Sequence, residues 1–327
     1  MIPVLARVVR GGVVESEHRG HLVVTGPDGA VVTAVGDVTS PVFPRSSLKP
    51  VQAWAMLRAG WRPADARALA LACASHSGEE AHRDVVASML EAAGLGLADL
   101  DNTPDWPLNA DAAARWREEG HGPEPVTQNC SGKHAAMVAT CVAAGWPTAG
   151  YRDPGHPLQV AIRALVEEVT GESAAPVSVD GCGAPLFSTS LAALARVFGR
   201  IAAAPAREPG GAAAAVAAAM TAHPDLVGGT GRDATLFMRA VPGLVAKDGA
   251  EGVFGVGLPD GTGLALKIAD GAARPVRAVV AAALAPRVGD RAEAVRGVGH
   301  TPVLGHGELV GAVVAADWAG AWAGAVS

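Results

Sequence analysis

Strand-like segments lie near both ends of this chain, and the long stretch between them has the pattern of helices. Near the N-terminus, residues 23–32 read as two short strands around a Pro-Asp-Gly turn, which predicts a β-hairpin. Strand patterns return at 252–256, 263–268 and 309–316. We therefore predict an α/β (α+β) fold, in which N-terminal and C-terminal strands share one sheet and a helical block is inserted between them.

We expect the chain to form a single domain over residues 1–327. Residues 1–45 and 245–327 would supply the strands, and residues 46–244 would supply most of the helices. Half of the residues are hydrophobic, which is enough to bury a large core in a chain of this length. The alanine-rich stretch 202–222 has high helix propensity and few charges, so we predict packed helix there and not a linker.

Composition and charge limit the kinds of molecule that the protein is expected to bind. The formal net charge is -6 and 4% of the residues are aromatic, so no basic or stacking surface for nucleic acid is expected. The N-terminus lacks a signal-peptide pattern, and Asp317 interrupts the apolar segment 309–322, which favours a core strand over a membrane span. Four cysteines without C-x-x-C spacing do not indicate a disulfide scaffold. We expect a soluble, cytoplasmic protein that acts on a small molecule.

The segment Ser46-Ser47-Leu48-Lys49 has the spacing of a serine nucleophile and a lysine base. A serine hydroxyl is a weak nucleophile at neutral pH unless a base takes its proton, and a lysine one helical turn away lies on the same face. Pro50 disfavours helical backbone at Lys49, which predicts a helix that begins after the lysine. The alternative is that Ser46 or Ser47 is only the N-cap of that helix.

Further segments follow this one in an informative order. With Ser75-His76-Ser77 and Lys247-Asp248-Gly249, it resembles the S-x-x-K, S-x-N and K-T-G series of penicillin-recognising enzymes. Between them Arg232 follows a glycine-rich loop, where it is a candidate for binding a substrate carboxylate or simply part of a loop. This order indicates an enzyme that cleaves an amide.

Two serines compete for the role of the second motif. Ser77 with Glu80 fits a capping box at the start of a helix. Ser75 lies at the end of the apolar run 69–74, interpreted as a buried strand, and is a candidate for relaying a proton or for bonding nearby backbone. We therefore favour Ser75 over Ser77. His76 is expected to be a hydrogen-bonded structural histidine.

The segment Cys130-Ser131-Gly132-Lys133-His134 predicts a helix start, because Ser-Gly precedes an alanine-rich run. A lysine and a helix N-terminus lower the pKa of a nearby thiol, so Cys130 is a candidate thiolate nucleophile or metal ligand, or else a small core residue. In Asp180-Gly181-Cys182-Gly183, the flanking glycines allow close backbone approach. Cys130 and Cys182 could meet at one metal such as zinc, with Lys133, His134 or Asp180 as a third ligand.

Over nearly the whole chain these segments resemble, in sequence and order, the Rhizobium-type L-asparaginases. The specific part is Cys-Ser-Gly-Lys-His and Asp-Gly-Cys-Gly, since glutaminases and serine β-lactamases share the Ser-Lys framework but lack these two motifs. The resemblance implies a fold similar to those two classes. It also implies an amidohydrolase, usually a homodimer, that releases ammonia from L-asparagine.

The resemblance further implies individual roles. Ser46 would be the nucleophile with Lys49 as its base, and Ser75 and Lys247 would form a second Ser-Lys pair at the same centre. The implied zinc ligands are Cys130, Lys133 and Cys182, and the residues implied or expected near substrate are Arg45, His134, Asp180 and Arg232.

Two alternatives stay open at this point. A glutaminase or a β-lactam-type serine acylase would use the same serine and lysine on another substrate, although Asp248 departs from the serine or threonine of β-lactamases. A non-catalytic, metal-dependent binding protein would use the serines and lysines only as caps and charges.

Overall fold

The computed structural model describes residues 1–318, which contain twelve strands and twelve α-helices. The strands are β1 (Val4–Arg10), β2 (Val13–Thr25), β3 (Val31–Val35), β4 (Pro41–Val42), β5 (Val177–Val179), β6 (Pro185–Phe187), β7 (Thr189–Ser190), β8 (Val245–Gly249), β9 (Val253–Gly257), β10 (Gly263–Ile268), β11 (Thr301–Gly305) and β12 (Glu308–Ala315).

The helices lie mainly in the middle of the chain. They are α1 (Lys49–Arg58), α2 (Ala66–Ala72), α3 (Glu80–Ala92), α4 (Ala110–Glu118), α5 (Ser131–Ala144), α6 (Pro157–Thr170), α7 (Leu191–Arg207), α8 (Ala212–Ala222), α9 (Pro224–Val227), α10 (Asp233–Ala240), α11 (Val276–Leu284) and α12 (Ala292–Gly299). Four short 3-10 turns cover Arg45–Leu48, Leu97–Asp99, Ala285–Arg287 and Gly289–Arg291.

One antiparallel sheet joins both ends of the chain. Its strand order is β11-β12-β1-β2-β10-β9-β8, and β3 pairs with β2 to complete the predicted hairpin. Strand β2 is long enough to pair with β1 along its first half and with β10 along its second half. The prediction of a shared sheet with an inserted helical block is therefore confirmed. Of the apolar segment 309–322, residues 319–322 lie outside the described residues.

The backbone of helix α7 lies very close to the glycines of strands β9 and β10 on one face of the sheet. A Cβ atom added to Gly257 would lie 2.0 Å from the carbonyl oxygen of Phe198, and one added to Gly263 would lie 1.9 Å from that of Ala195. Only glycine leaves room for this approach. On the opposite face Leu22 and Val24 lie next to α11, since side chains alternate along a strand.

The alanine-rich stretch 202–222 is packed helix, as predicted, divided between α7 and α8. Most of its alanines are buried against the core. In the described part of the chain, no helix combines the length and the apolar character needed to cross a bilayer.

Three local predictions around the site are wrong. The run 69–74 is not a strand: residues 66–72 form α2, because Asp65 caps the backbone N–H of Ala68 over 2.9 Å. Helix α3 begins at Glu80 without a side-chain cap, so Ser77 does not form a capping box. Helix α1 begins at Lys49 and not after it, because Pro50 fits within the first turn, where no backbone donor is needed.

Candidate active site

The amine of Lys49 is buried at the start of α1 and makes its contacts outside the S-x-x-K segment. Its nitrogen lies 2.5 Å from the carbonyl oxygen of Ala74, 3.0 Å from Ser75 Oγ and 3.1 Å from Cys130 Sγ. Ser46 is half-buried and makes no hydrogen bond to this amine. The Ser-Lys pair that the structure forms is therefore Lys49 with Ser75. Neither Ser46 nor Ser47 caps the helix through its side chain.

The loop that carries Ser75 is fixed at both sides by backbone hydrogen bonds. The N–H of Ser75 donates to the carbonyl of Val227, and the N–H of His76 donates to that of Asn129. The His76 ring bonds Ser131 Oγ over 2.8 Å, which is the structural role expected of it. Ser77 Oγ donates to the carbonyl of Gly228, so its hydroxyl is directed away from Lys49. These contacts hold Ser75 in a fixed position.

The start of α5 brings two thiols together. Helix α5 begins at Ser131, as the Ser-Gly pattern predicted, and Cys130 is its N-cap residue. Cys130 packs with Cys182 in a small buried cluster. Lys133 Nζ lies 3.1 Å from Cys182 Sγ, and Cys130 Sγ lies 2.9 Å from Asn129 Oδ1. The three residues expected to bind zinc therefore lie side by side.

The pKa values of the two thiols shift in opposite directions. A hydrogen bond from Cys130 and the nearby Lys133 ammonium lower the pKa of the Cys182 thiol. The same hydrogen bond, together with burial, raises the pKa of Cys130. Burial lowers the pKa of His134 to about 4, so this imidazole is neutral at pH 7. Its Nδ1 bonds Tyr151 over 2.7 Å, while its buried Nε2 has no hydrogen-bond partner among the described residues.

Arg45 connects the nucleophile segment to the cysteine loop. Its Nε and Nη2 atoms both lie 2.8 Å from Asp180 Oδ1. Arg45 has φ 54°, in the left-handed region that non-glycine residues seldom adopt. The ion pair thus fixes the residue before Ser46 relative to the turn that presents Cys182.

Lys247 is fully buried in β8, and its amine is hydrogen-bonded to the adjacent Asp248. Its amine donates to Asp248 Oδ1 over 2.6 Å and to the carbonyl of the same residue over 2.7 Å. Among the described residues it makes no hydrogen bond to Ser75, so the expected second Ser-Lys pair is not formed. Burial lowers the pKa of Lys247 to about 8, and the Lys247 charge holds the pKa of Asp248 well below its usual range.

Both serines line one cavity of about 400 Å³. Arg232 also lines it and donates to Asp248 through Nη2 over 2.8 Å. The remaining lining residues come mainly from the β8–β9 hairpin and from residues 271–276 at and before the start of α11, and Asn129 adds one more. A second cavity, of about 430 Å³, lies near Trp61 and is lined by none of the predicted site residues.

The structure thus brings most of the predicted residues into two adjoining groups. Lys49 contacts both, through Ser75 and through Cys130. Sequence reasoning missed Asp248 as the partner of Lys247 and Tyr151 as the partner of His134. The chain contains a single tyrosine, and its rarity was the one available signal.

A family model for L-asparaginase II matches residues 6–315. The chain belongs to the L-asparaginase II family. This membership confirms the resemblance found in the motifs and classes the chain among the amidohydrolases. No curated protein sequence matches it significantly. A homodimer and a cytoplasmic location stay predictions from the sequence.

Solved structures with some similarity include Mglu and a β-lactamase from Mycobacterium bovis. Mglu is 14% identical over 86% of this chain and 65% of its own, with a TM-score of 0.42. The β-lactamase is 14% identical over 77% of this chain and 88% of its own, with a TM-score of 0.35. This family member therefore spans slightly less than two thirds of the Mglu chain.

Proposed function

We propose that this member of the L-asparaginase II family hydrolyses the side-chain amide of L-asparagine to L-aspartate and ammonia through a serine acyl-enzyme. The observation that carries the proposal is the buried contact of 3.0 Å between Lys49 Nζ and Ser75 Oγ. It lies beside a cavity that both Ser46 and Ser75 line. A lysine amine in contact with a serine is an activated nucleophile or a proton relay.

In the proposed mechanism Ser46 attacks the amide carbon, because it lines the cavity and its hydroxyl makes no hydrogen bond to any group in the described part of the chain. Its proton passes to Ser75 and from there to Lys49, which must be neutral when it accepts it. The Ser46 Oγ–carbon bond forms, the nitrogen takes up a proton from the same relay, and the carbon–nitrogen bond breaks to release ammonia. Water then hydrolyses the ester along the same route.

Arg232 is the proposed ligand of the substrate carboxylate. One guanidinium nitrogen is bound to Asp248, and the other N–H groups have no hydrogen-bond partner among residues 1–318. Arg45 does not line the cavity and is held by Asp180. Arg232 is therefore the arginine that can offer N–H donors to an anion inside the cavity.

Cys130, Cys182 and Lys133 are the proposed zinc ligands. Two sulfurs and nitrogen donors suit zinc, and the buried Nε2 of His134, which has no hydrogen-bond partner among residues 1–318 and lies near Cys182, fits a site with a polar occupant. Bound zinc would supply a fixed positive charge beside the serine centre. The protein residues hold the geometry: Arg45 anchors the Asp180–Cys182 turn, and Cys130 contacts the Lys49 amine.

The decisive experiment measures ammonia release from L-asparagine and L-glutamine, and ring opening of a chromogenic β-lactam by its absorbance change, for the wild type, Ser46→Ala and Ser75→Ala, with folding checked by circular dichroism. We expect asparagine turnover in the wild type and its loss in both folded variants. Turnover that survives in Ser46→Ala but not in Ser75→Ala moves the nucleophile to Ser75. A preference for glutamine or the β-lactam, or no turnover, overturns the asparaginase assignment.

A further inference from the structure

The carboxylates that line the cavity differ in whether a basic side chain binds them. Asp233 is bound by Arg277, and Asp248 is bound by Lys247 and by Arg232. The remaining lining carboxylate, that of Glu251, makes no hydrogen bond and no ion pair with any described residue. The cavity therefore holds one carboxylate that is hydrogen-bonded by no side chain of the described residues.

Glu251 occupies a backbone position that is poorly suited to glutamate. In the turn between β8 and β9 it has φ 61°, and the following Gly252 has φ 65°. Left-handed backbone costs an L-residue roughly 1 to 2 kcal/mol, and such turns favour glycine, asparagine or aspartate. A turn selected only for folding would therefore carry another residue here.

Contacts on both sides hold Glu251 at the cavity. Lys267 Nζ donates to its carbonyl oxygen over 2.6 Å and to that of Ile268 over 2.7 Å. The lysine charge attracts the carboxylate, but its hydrogen bonds go to backbone oxygens. The carboxylate itself lies against Gly271, which also lines the cavity: a Cβ atom there would be 2.5 Å from Oε2.

We propose that the Glu251 carboxylate binds the α-ammonium group of the substrate and so makes the site selective for amides of α-amino acids. This inference rests on the proposed asparaginase function and adds the residue that recognises the amino group of the substrate. Arg232 and Glu251 together offer one cation and one anion, which suits the zwitterionic end of an amino acid. A substrate without the amino group would leave Glu251 unpaired beside the substrate carboxylate.

The test compares kcat/KM for L-asparagine and for succinamate, which has the same amide and carboxylate but no amino group. We expect Glu251→Gln and Glu251→Asn to lower the preference for L-asparagine by about 10- to 100-fold, the scale of one hydrogen-bonded charge, mostly through KM. Glu251→Asp, which keeps the charge in a residue tolerant of this backbone, should retain part of the preference. Glu251→Asn should also raise Tm by removing backbone strain.

His306→Asn is the matched control, because His306 has φ 50° in the exposed turn between β11 and β12. We expect it to raise Tm without changing the preference between the two substrates. If all Glu251 variants that still hydrolyse L-asparagine keep the wild-type preference for it over succinamate, the role of Glu251 is overturned. The asparaginase assignment is then left intact. A wild type that hydrolyses neither amide overturns both.

Discussion

The amine of Lys49 donates to the hydroxyl oxygen of Ser75 over 3.0 Å. This contact joins residues that are 26 positions apart, whereas the S-x-x-K spacing pairs the lysine with Ser46. The same amine lies 3.1 Å from Cys130 Sγ. One lysine therefore contacts both the serine centre and the thiol cluster.

Replacing Ser75 by alanine should lower kcat for L-asparagine by about 10²- to 10⁴-fold, since the variant removes the hydroxyl through which Lys49 moves the proton. Ser77→Ala is the control from the same loop, because its hydroxyl bonds Gly228 and not Lys49. It should cost about 1 kcal/mol of stability and leave kcat within a few-fold. Steady-state kinetics and denaturant unfolding measure both effects. Equal losses of kcat in the two variants would contradict the relay.

Purified protein should contain one zinc ion per chain, and Cys130→Ala or Cys182→Ala should lose it. Both thiols lie in one buried cluster with Lys133, and zinc binds such sulfur and nitrogen donors. Cys141→Ala is the control, because this buried cysteine lies in the core elsewhere on α5. Mass spectrometry of the native protein and elemental analysis report the metal content. Equal zinc content in all four proteins would place the metal elsewhere.

Asp180→Asn should weaken zinc binding by about 10- to 100-fold, although Asp180 is not a proposed ligand. Partners that orient metal ligands typically have effects of this size. Asp180 holds Arg45 over 2.8 Å and accepts the backbone N–H of Gly181, next to Cys182, over 2.9 Å. Chelator competition measures the affinity. Asp28→Asn, in the exposed turn after β2, serves as the reference variant, and equal affinities in the two would show that the ion pair does not position the loop.

Lys247 should make the stability of the protein depend on pH. Burial lowers its pKa from 10.5 to about 8 in the folded state, so from pH 8 to 10.5 the unfolded chain binds more protons and folding stability rises with pH. Between pH 8 and 10.5 the free energy of unfolding of the wild type should rise by about 3 kcal/mol relative to that of Lys247→Met. Urea unfolding of both proteins at several pH values measures the difference. A constant difference from pH 7 to 10.5 would mean that the pKa does not change on folding.

Local patterns predicted local structure well. The Ser-Gly pair before an alanine-rich run marked the start of α5, and the Pro-Asp-Gly turn marked the β2–β3 hairpin. In both cases the residues that decide the conformation are neighbours in the chain. The shared sheet was predicted from such local elements. Strands at both ends of the chain have few ways to bury their apolar faces other than in one sheet.

Side-chain partners could not be predicted in the same way. Ser77 satisfied the spacing of a capping box, but its hydroxyl bonds a carbonyl 151 residues away. The family resemblance implied a pair of Lys247 with Ser75, but the adjacent Asp248 binds the buried amine instead. Spacing in the sequence does not determine which of several polar groups a buried side chain reaches.

The pairing of β2 with β10 has a consequence for how the protein is made. Leu22 faces Leu266 across this pair, so the centre of the sheet joins residues separated by most of the chain. Contacts of such high sequence separation form slowly, because a long loop must close first. On the ribosome, Lys49 and Cys130 emerge long before residues 248–276, which supply most of the cavity lining. The cavity, and with it the proposed catalytic competence, is therefore completed late in biosynthesis.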